Sequence, residues 1–187
     1  MSDGPHRSLN MTRSWQRVAE RCDKRSYSHE EVSESFVGAL EKDCRREINP
    51  DFLDAAWRIF SDPEPSLFVM KTSEQLETLR RQAGSGIGRL VLDQAILCAE
   101  RGKTGREGLI EAVKNALGYR AAKSKKQIEE HYCRKSSNPR ADHVRTRLEE
   151  GIRGAALDGL ARRILKAAPA EKQPSLKQGL DDGVKFK

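Results

Sequence analysis

Apolar residues recur along this chain at every third or fourth position, the spacing that places side chains on one face of an α-helix. The clearest stripe consists of Val32, Phe36, Leu40 and Cys44. Ser28 and Glu31 precede it in the pattern of a capping box, in which each side chain accepts a hydrogen bond from the other residue's backbone amide. Asn49-Pro50 then predicts the end of this helix and the start of the next.

The same spacing predicts further helices along most of the chain. They cover residues 9–23, 51–61, 72–82, 89–101, 105–119, 124–135 and 138–167. Helix 89–101 is apolar around more than half of its circumference, so we expect it to be buried on most sides. Gly102 is placed to end that helix. The glycines of residues 84–88 interrupt the pattern, and we expect a hinge or an internal boundary there.

The last predicted helix carries a stripe of apolar residues together with small residues at regular spacing. Its stripe consists of Val144, Leu148, Ile152, Leu160 and Ile164. Gly151, Ala155 and Gly159 recur every four residues. A glycine inside a helix costs about 1 kcal/mol relative to alanine, so a close crossing with another helix is the expected compensation.

These patterns predict an all-α fold, a compact bundle of about six to eight helices with disordered termini. Residues 1–8 are expected to be a disordered leader and residues 168–187 a disordered tail. Between them, residues 9–83 form an N-terminal helical part and residues 84–167 a C-terminal part with a basic face, together one continuous domain. Ser66–Met70 is the only strand-like stretch, and we expect an extended buried connection there.

Composition supports a helical protein with long solvated faces. Of the residues, 36% are apolar, 34% charged and only 5% aromatic. No apolar run approaches the roughly 20 residues of a bilayer span, and no hydrophobic signal segment opens the chain. The four cysteines are far apart and form no C-x-x-C pair, which indicates reduced thiols and a cytoplasmic location. They are Cys22, Cys44, Cys98 and Cys133.

The positive charge is concentrated in one region. Residues 1–99 carry 14 Lys+Arg and 16 Asp+Glu, whereas residues 100–167 carry 17 and 9. Within residues 114–147, ten basic residues face three acidic ones, a density that attracts phosphate backbones. These candidate nucleic-acid contacts are Lys114, Arg120, Lys123, Lys125, Lys126, Arg134, Lys135, Arg140, Arg145 and Arg147. Only Tyr119 and Tyr132 lie nearby, which favours backbone contact over base stacking.

Other chemistry has little support in the sequence. The turn at residues 101–106 resembles a helix-turn-helix only weakly, since Gly108 stands where an apolar residue is expected, and an ordinary αα-hairpin is favoured. His131 and Cys133 point in different directions on a helix, so we expect no metal site. No nucleotide-binding loop or catalytic motif is present. We therefore expect no cofactor, no small-molecule substrate and no enzymatic activity.

The sequence thus predicts a non-enzymatic nucleic-acid-associated protein. It would be an accessory subunit of a nucleoprotein complex, contacting the DNA or RNA backbone with other protein subunits as partners. One alternative is a protein-interaction module, an inhibitor or antitoxin-like adaptor that binds an acidic protein through residues 28–83 and the last helix. A second alternative is a regulator that uses the weak helix-turn-helix.

Overall fold

In the computed structural model, residues 11–60, 72–132 and 139–167 are described, and every regular element among them is an α-helix. The helices are α1 (Arg13–Asp23), α2 (His29–Glu47), α3 (Pro50–Phe60), α4 (Thr72–Ala83), α5 (Ile87–Glu100), α6 (Gly105–Tyr132), α7 (Pro139–Gly154) and α8 (Leu157–Ala167). The all-α prediction is confirmed. The predictions for the leader, the tail and the strand-like stretch lie outside the described residues.

The described residues form two compact units. The first contains residues 11–43, 118–132 and 139–157, and the second contains residues 44–60, 72–117 and 158–167. Both α2 and α6 contribute residues to each unit. None of the described helices combines the length and the apolar character that crossing a membrane requires.

Helices α2 and α3 begin where the sequence signals predict, whereas α1 begins at Arg13 and not at the predicted residue 9. The Ser28 amide donates to the Glu31 carboxylate at 2.7 Å, and the Glu31 amide donates to the Ser28 hydroxyl at 3.2 Å. The capping box is therefore confirmed. The amide of Asp51 donates to the Asn49 side-chain oxygen at 3.0 Å, which confirms Asn49 as the cap of α3.

The core of the first unit lies between α1, α2, α7 and the second half of α6. The stripe of α2 is buried as predicted, and the ring of Phe36 meets the Trp15 ring edge-on with centroids 5.0 Å apart. Cys22 is buried on α1, and desolvation raises the pKa of its thiol to about 12. Cys22, Cys44 and Cys98 are buried and form no disulfide bond, and Cys133 lies outside the described residues.

Glycines allow α7 to approach α2 closely. A Cβ atom on Gly151 would lie 3.1 Å from a methyl carbon of Val32, and one on Gly154 would lie 2.5 Å from the Ser33 hydroxyl. The predicted close crossing is therefore confirmed at Gly151. This face of α7 therefore packs against α2.

The second unit contains α3, α4, α5, the first half of α6, and α8, with α3, α4 and α5 in mutual contact. The burial of α5 is less complete than its apolar sequence predicts. One face is buried, whereas Leu97 on the opposite side is 40% exposed. The buried residues of this helix are Ile87, Gly88, Val91, Leu92, Ala95 and Cys98.

Gly102 ends α5 as predicted. Its φ of 79° lies in the left-handed region that favours glycine. The Gly102 amide donates to the Ala99 carbonyl at 3.1 Å, and the Lys103 amide donates to the Cys98 carbonyl at 2.8 Å, the two bonds of a Schellman motif. A Cβ on Gly108 would lie 2.3 Å from the Lys103 carbonyl oxygen. A side chain at position 108 would therefore clash with this turn, which explains the presence of glycine there.

Two predicted helix boundaries were wrong. The sequence suggested separate helices over 105–119 and 124–135, with Ser124 as a cap, but residues 105–132 form the single helix α6. No strong helix breaker separates them, and Ala121, Ser124 and Ile128 continue the buried face of Leu117.

The last predicted helix, by contrast, is divided. Helix α7 ends at Gly154 and α8 begins at Leu157, so Ala155 belongs to the turn between them. Three glycines within residues 151–159 lower the local helix propensity. Gly154, the last residue of α7, lies close to Ser33, where a Cβ atom would be 2.5 Å from the hydroxyl oxygen.

Candidate nucleic-acid interface

The ten basic residues predicted to contact nucleic acid do not share one environment. Arg134 and Lys135 lie outside the described residues. Lys114 belongs to the second unit, and the remaining seven belong to the first. Five of those seven contact other parts of their own unit: Arg120, Lys125, Arg140, Arg145 and Arg147.

Two of these arginines connect α7 to α1 and to the segment that follows α1. Both oxygens of the Asp23 carboxylate accept hydrogen bonds from Arg140. This bonding is the largest reason why the pKa of Asp23 lies below its ordinary value. The guanidinium of Arg147 donates to the backbone carbonyl of Tyr27. Arg140 and Arg147 therefore serve the fold of the first unit.

The ammonium group of Lys125 lies between two carboxylates. It is 3.2 Å from the Glu149 carboxylate on α7 and 3.5 Å from that of Glu129, one turn further along α6. Arg145 pairs with Asp142 at 3.2 Å within α7. The positive charge of Lys125 and Arg145 is thus matched by acidic groups of the same unit.

Arg120 is mostly buried and not exposed on the surface. Its side chain is 15% exposed, and its Nε atom lies 4.0 Å from Oδ2 of the buried Asp43. A guanidinium in this position offsets the cost of burying a carboxylate. The sequence could not show this role, because Asp43 is 77 positions earlier in the chain.

Lys114 borders a cleft of the second unit that contains charges of both signs. The cleft has a volume of about 540 Å³, and its lining includes Lys103, Glu111 and Asp158. The Lys103 ammonium pairs with the Glu111 carboxylate at 2.7 Å. Arg162 pairs with Asp158 at 2.9 Å, which lowers the pKa of Asp158. Because its cations and carboxylates largely match, this cleft does not favour a polyanion.

Within the first unit, the candidate cations that remain available lie on one face of α6. Lys123 and Lys126 are exposed, and among the described residues no carboxylate pairs with either ammonium group. Their spacing of three places them side by side on the helix. Tyr119, four residues before Lys123 on the same face, is 58% exposed. We call these three residues the α6 patch.

The α6 patch is small and has an acidic neighbour. Glu130 is exposed on the same face, one turn beyond Lys126. From the sequence, Tyr119 counts only as one of few aromatic residues near the basic segment, and its position beside Lys123 and Lys126 is not predicted. Its spacing of four and seven from the two lysines is the signal that could have identified it, once α6 was known to be continuous.

The described residues contain no group of three or more His, Cys, Asp or Glu side chains that could hold a metal ion. Comparison with protein-family models, with curated proteins and with solved structures found no match.

Proposed function

We propose that this protein is a non-enzymatic, nucleic-acid-associated helical protein that contacts the phosphate backbone through the α6 patch. The observation that carries the proposal is the exposure of Lys123 and Lys126 side by side without a carboxylate partner among the described residues. Binding of phosphates by such cations releases condensed counterions and is largely indifferent to sequence. The hydroxyl of Tyr119, a residue that is 58% exposed, adds a further donor for a phosphate oxygen.

The size of the patch supports an accessory role. Two ammonium groups neutralise about two phosphates, so binding by the patch alone is weak at physiological salt. A larger nucleoprotein complex, in which other protein subunits contact the same nucleic acid, would supply the missing affinity through effective concentration. We therefore infer that the protein acts together with protein partners on DNA or RNA.

The proposal is tested with the double variant Lys123→Gln/Lys126→Gln. Its matched control is Arg13→Gln/Arg17→Gln, which removes two exposed cations from α1 at a spacing of four and changes the net charge equally. Fluorescence anisotropy measures binding of labelled duplex DNA, duplex RNA and single-stranded RNA over a salt series. In the α6 variant, the negative slope of log K against log salt should become shallower by about 1.8 for duplex DNA, since each lost phosphate contact removes about 0.9 from its magnitude.

The control variant should retain most of the wild-type slope. If both double variants lose affinity equally, the net charge and not the α6 patch is responsible. If the wild-type chain shows no salt-dependent binding at low ionic strength, the proposed function is wrong.

A further inference from the structure

Tyr119 of the α6 patch leaves more than half of its surface accessible to a ligand. Among the described residues, only Leu97 and Tyr119 are large apolar side chains that are exposed. Within that part of the chain, Tyr119 makes no hydrogen bond, no contact with another ring and no cation–π contact. The aromatic side chain is therefore available for binding.

The helix surface beside Tyr119 consists of small residues. A Cβ atom added to Gly118 would meet no atom of another element within 4 Å. Ala122, three residues further along α6 and on the same face, is exposed and presents only a methyl group. Neither position carries a bulky side chain that would keep a planar ligand away from the tyrosine ring.

Lys123 and Lys126 continue the same face of α6 beyond Tyr119. From Tyr119 to Lys126 the patch extends over seven residue steps, or about 10 Å along the helix axis. A nucleic-acid strand rises by about 3.4 Å per nucleotide, so the patch has the length of about three nucleotides. Proteins that bind single strands combine these two elements, an aromatic ring for a base and cations for the phosphates.

We propose that the α6 patch recognises single-stranded nucleic acid by stacking one base on the ring of Tyr119 while Lys123 and Lys126 bind adjacent phosphates. This inference rests on the proposed function and specifies its substrate class. A duplex presents phosphates to the two lysines, but its bases are stacked on one another and offer no free face to the tyrosine. Stacking of this kind tolerates any base, in accord with binding that is indifferent to sequence.

The small number of aromatic residues near the basic segment favours backbone contact when the sequence alone is considered. That expectation depends on how many rings are present and not on where they lie. One exposed ring beside two available cations is sufficient to bind one base, so stacking adds to the phosphate contacts and does not replace them.

Fluorescence anisotropy of the full chain at low salt tests the inference with three labelled probes. They are a single strand of adenine and cytosine nucleotides, an abasic strand with the same number of phosphates, and the duplex of the first strand with its complement. Tyr119→Ala should weaken binding of the single strand about five-fold more than binding of the abasic strand or the duplex, since a stacked base contributes at least that factor.

Two further variants identify the group responsible. Tyr119→Phe keeps the ring and removes the hydroxyl, so it should retain the single-strand affinity. The control Leu97→Ala removes the other exposed apolar side chain, which lies in the second unit, and should leave binding of all three probes unchanged. Circular dichroism confirms that each variant is folded.

Equal weakening of the three probes by Tyr119→Ala would overturn the inference, as would a loss in Tyr119→Phe as large as that in Tyr119→Ala. If Tyr119→Ala binds every probe as the wild-type chain does, the inference is also wrong, and a protein partner becomes the favoured ligand of Tyr119. Lys123→Gln/Lys126→Gln should weaken all three probes. That result without a selective effect of Tyr119→Ala would support the proposed function and reject only base stacking.

Discussion

The indole nitrogen of Trp15 donates a 2.8 Å hydrogen bond to Oδ2 of Asp43. Both side chains are buried in the first unit, and the bond joins α1 to α2 across 28 residues of sequence. Arg120 on α6 approaches the same carboxylate oxygen. A buried carboxylate is retained only where donors and positive charge surround it, so these three helices are held in register around Asp43.

Removing the indole donor should therefore destabilise the fold. Trp15→Phe keeps an aromatic ring near Phe36 but deletes the hydrogen bond to the Asp43 carboxylate. Hydrogen bonds to charged groups contribute about 1.5–3 kcal/mol, and we expect a loss of that size in the free energy of unfolding. Urea unfolding followed by circular dichroism measures it.

The matching control is Arg13→Gln, an exposed position of the same helix. Its effect should stay within about 0.5 kcal/mol. If Trp15→Phe were as mild as this control, the bond to Asp43 would not contribute to stability.

Replacing a glycine of α6 by alanine should change the stability of the protein in opposite directions at two positions. A Cβ on Gly118 meets no atom within 4 Å, so Gly118→Ala should stabilise the protein by about 0.5–1 kcal/mol through helix propensity. A Cβ on Gly108 would lie 2.3 Å from a backbone oxygen, and Gly108→Ala should destabilise it by about 1–3 kcal/mol. Thermal unfolding of the two variants side by side decides the sign. Stabilisation by both would mean that the turn at Lys103 adapts without cost.

The sequence predicted those features of the fold that depend on neighbouring residues. The Ser28–Glu31 capping box, the Asn49 cap and the end of α5 at Gly102 are all determined within a few positions of the chain. Where the chain lacked a strong breaker, the prediction failed. The sequence predicts Ser124 as a helix cap, yet Ser124 lies buried inside the continuous helix α6.

The candidate site was less predictable, because the sequence gives the number of basic residues in a segment but not the ion pairs that they form. Lys125 is neutralised by Glu149, 24 positions later, and Arg140 by Asp23, 117 positions earlier. Such pairs form only when α7 packs in the first unit, and no local pattern indicates them. Lys123 and Lys126 remain available because both are exposed and neither forms an ion pair with a carboxylate of the described residues.

The Asp23–Arg140 pair should make stability depend on acidity. The hydrogen bonds from Arg140 lower the pKa of the folded-state carboxyl below its ordinary value of 3.8. The folded state therefore binds fewer protons than the unfolded state as the pH falls through this range. The stabilisation by the pair is complete above pH 3.8 and is lost as the pH falls through the folded-state pKa.

Asp23→Asn isolates this contribution, because asparagine cannot titrate. The unfolding free energy of the wild-type chain should exceed that of Asp23→Asn near neutral pH, and the difference should shrink as the solution is acidified below the ordinary pKa of the carboxyl group. Urea unfolding of both proteins over a pH series measures the difference.

Asp158→Asn is the comparison. The pKa of Asp158 is also lowered, by its hydrogen bond from Arg162, but its side chain is 53% exposed. Solvent screening should make the pH dependence of that difference weaker. A difference for Asp23→Asn that stays constant with pH, or grows in acid, would show that the bonds to Arg140 do not stabilise the ionised carboxylate.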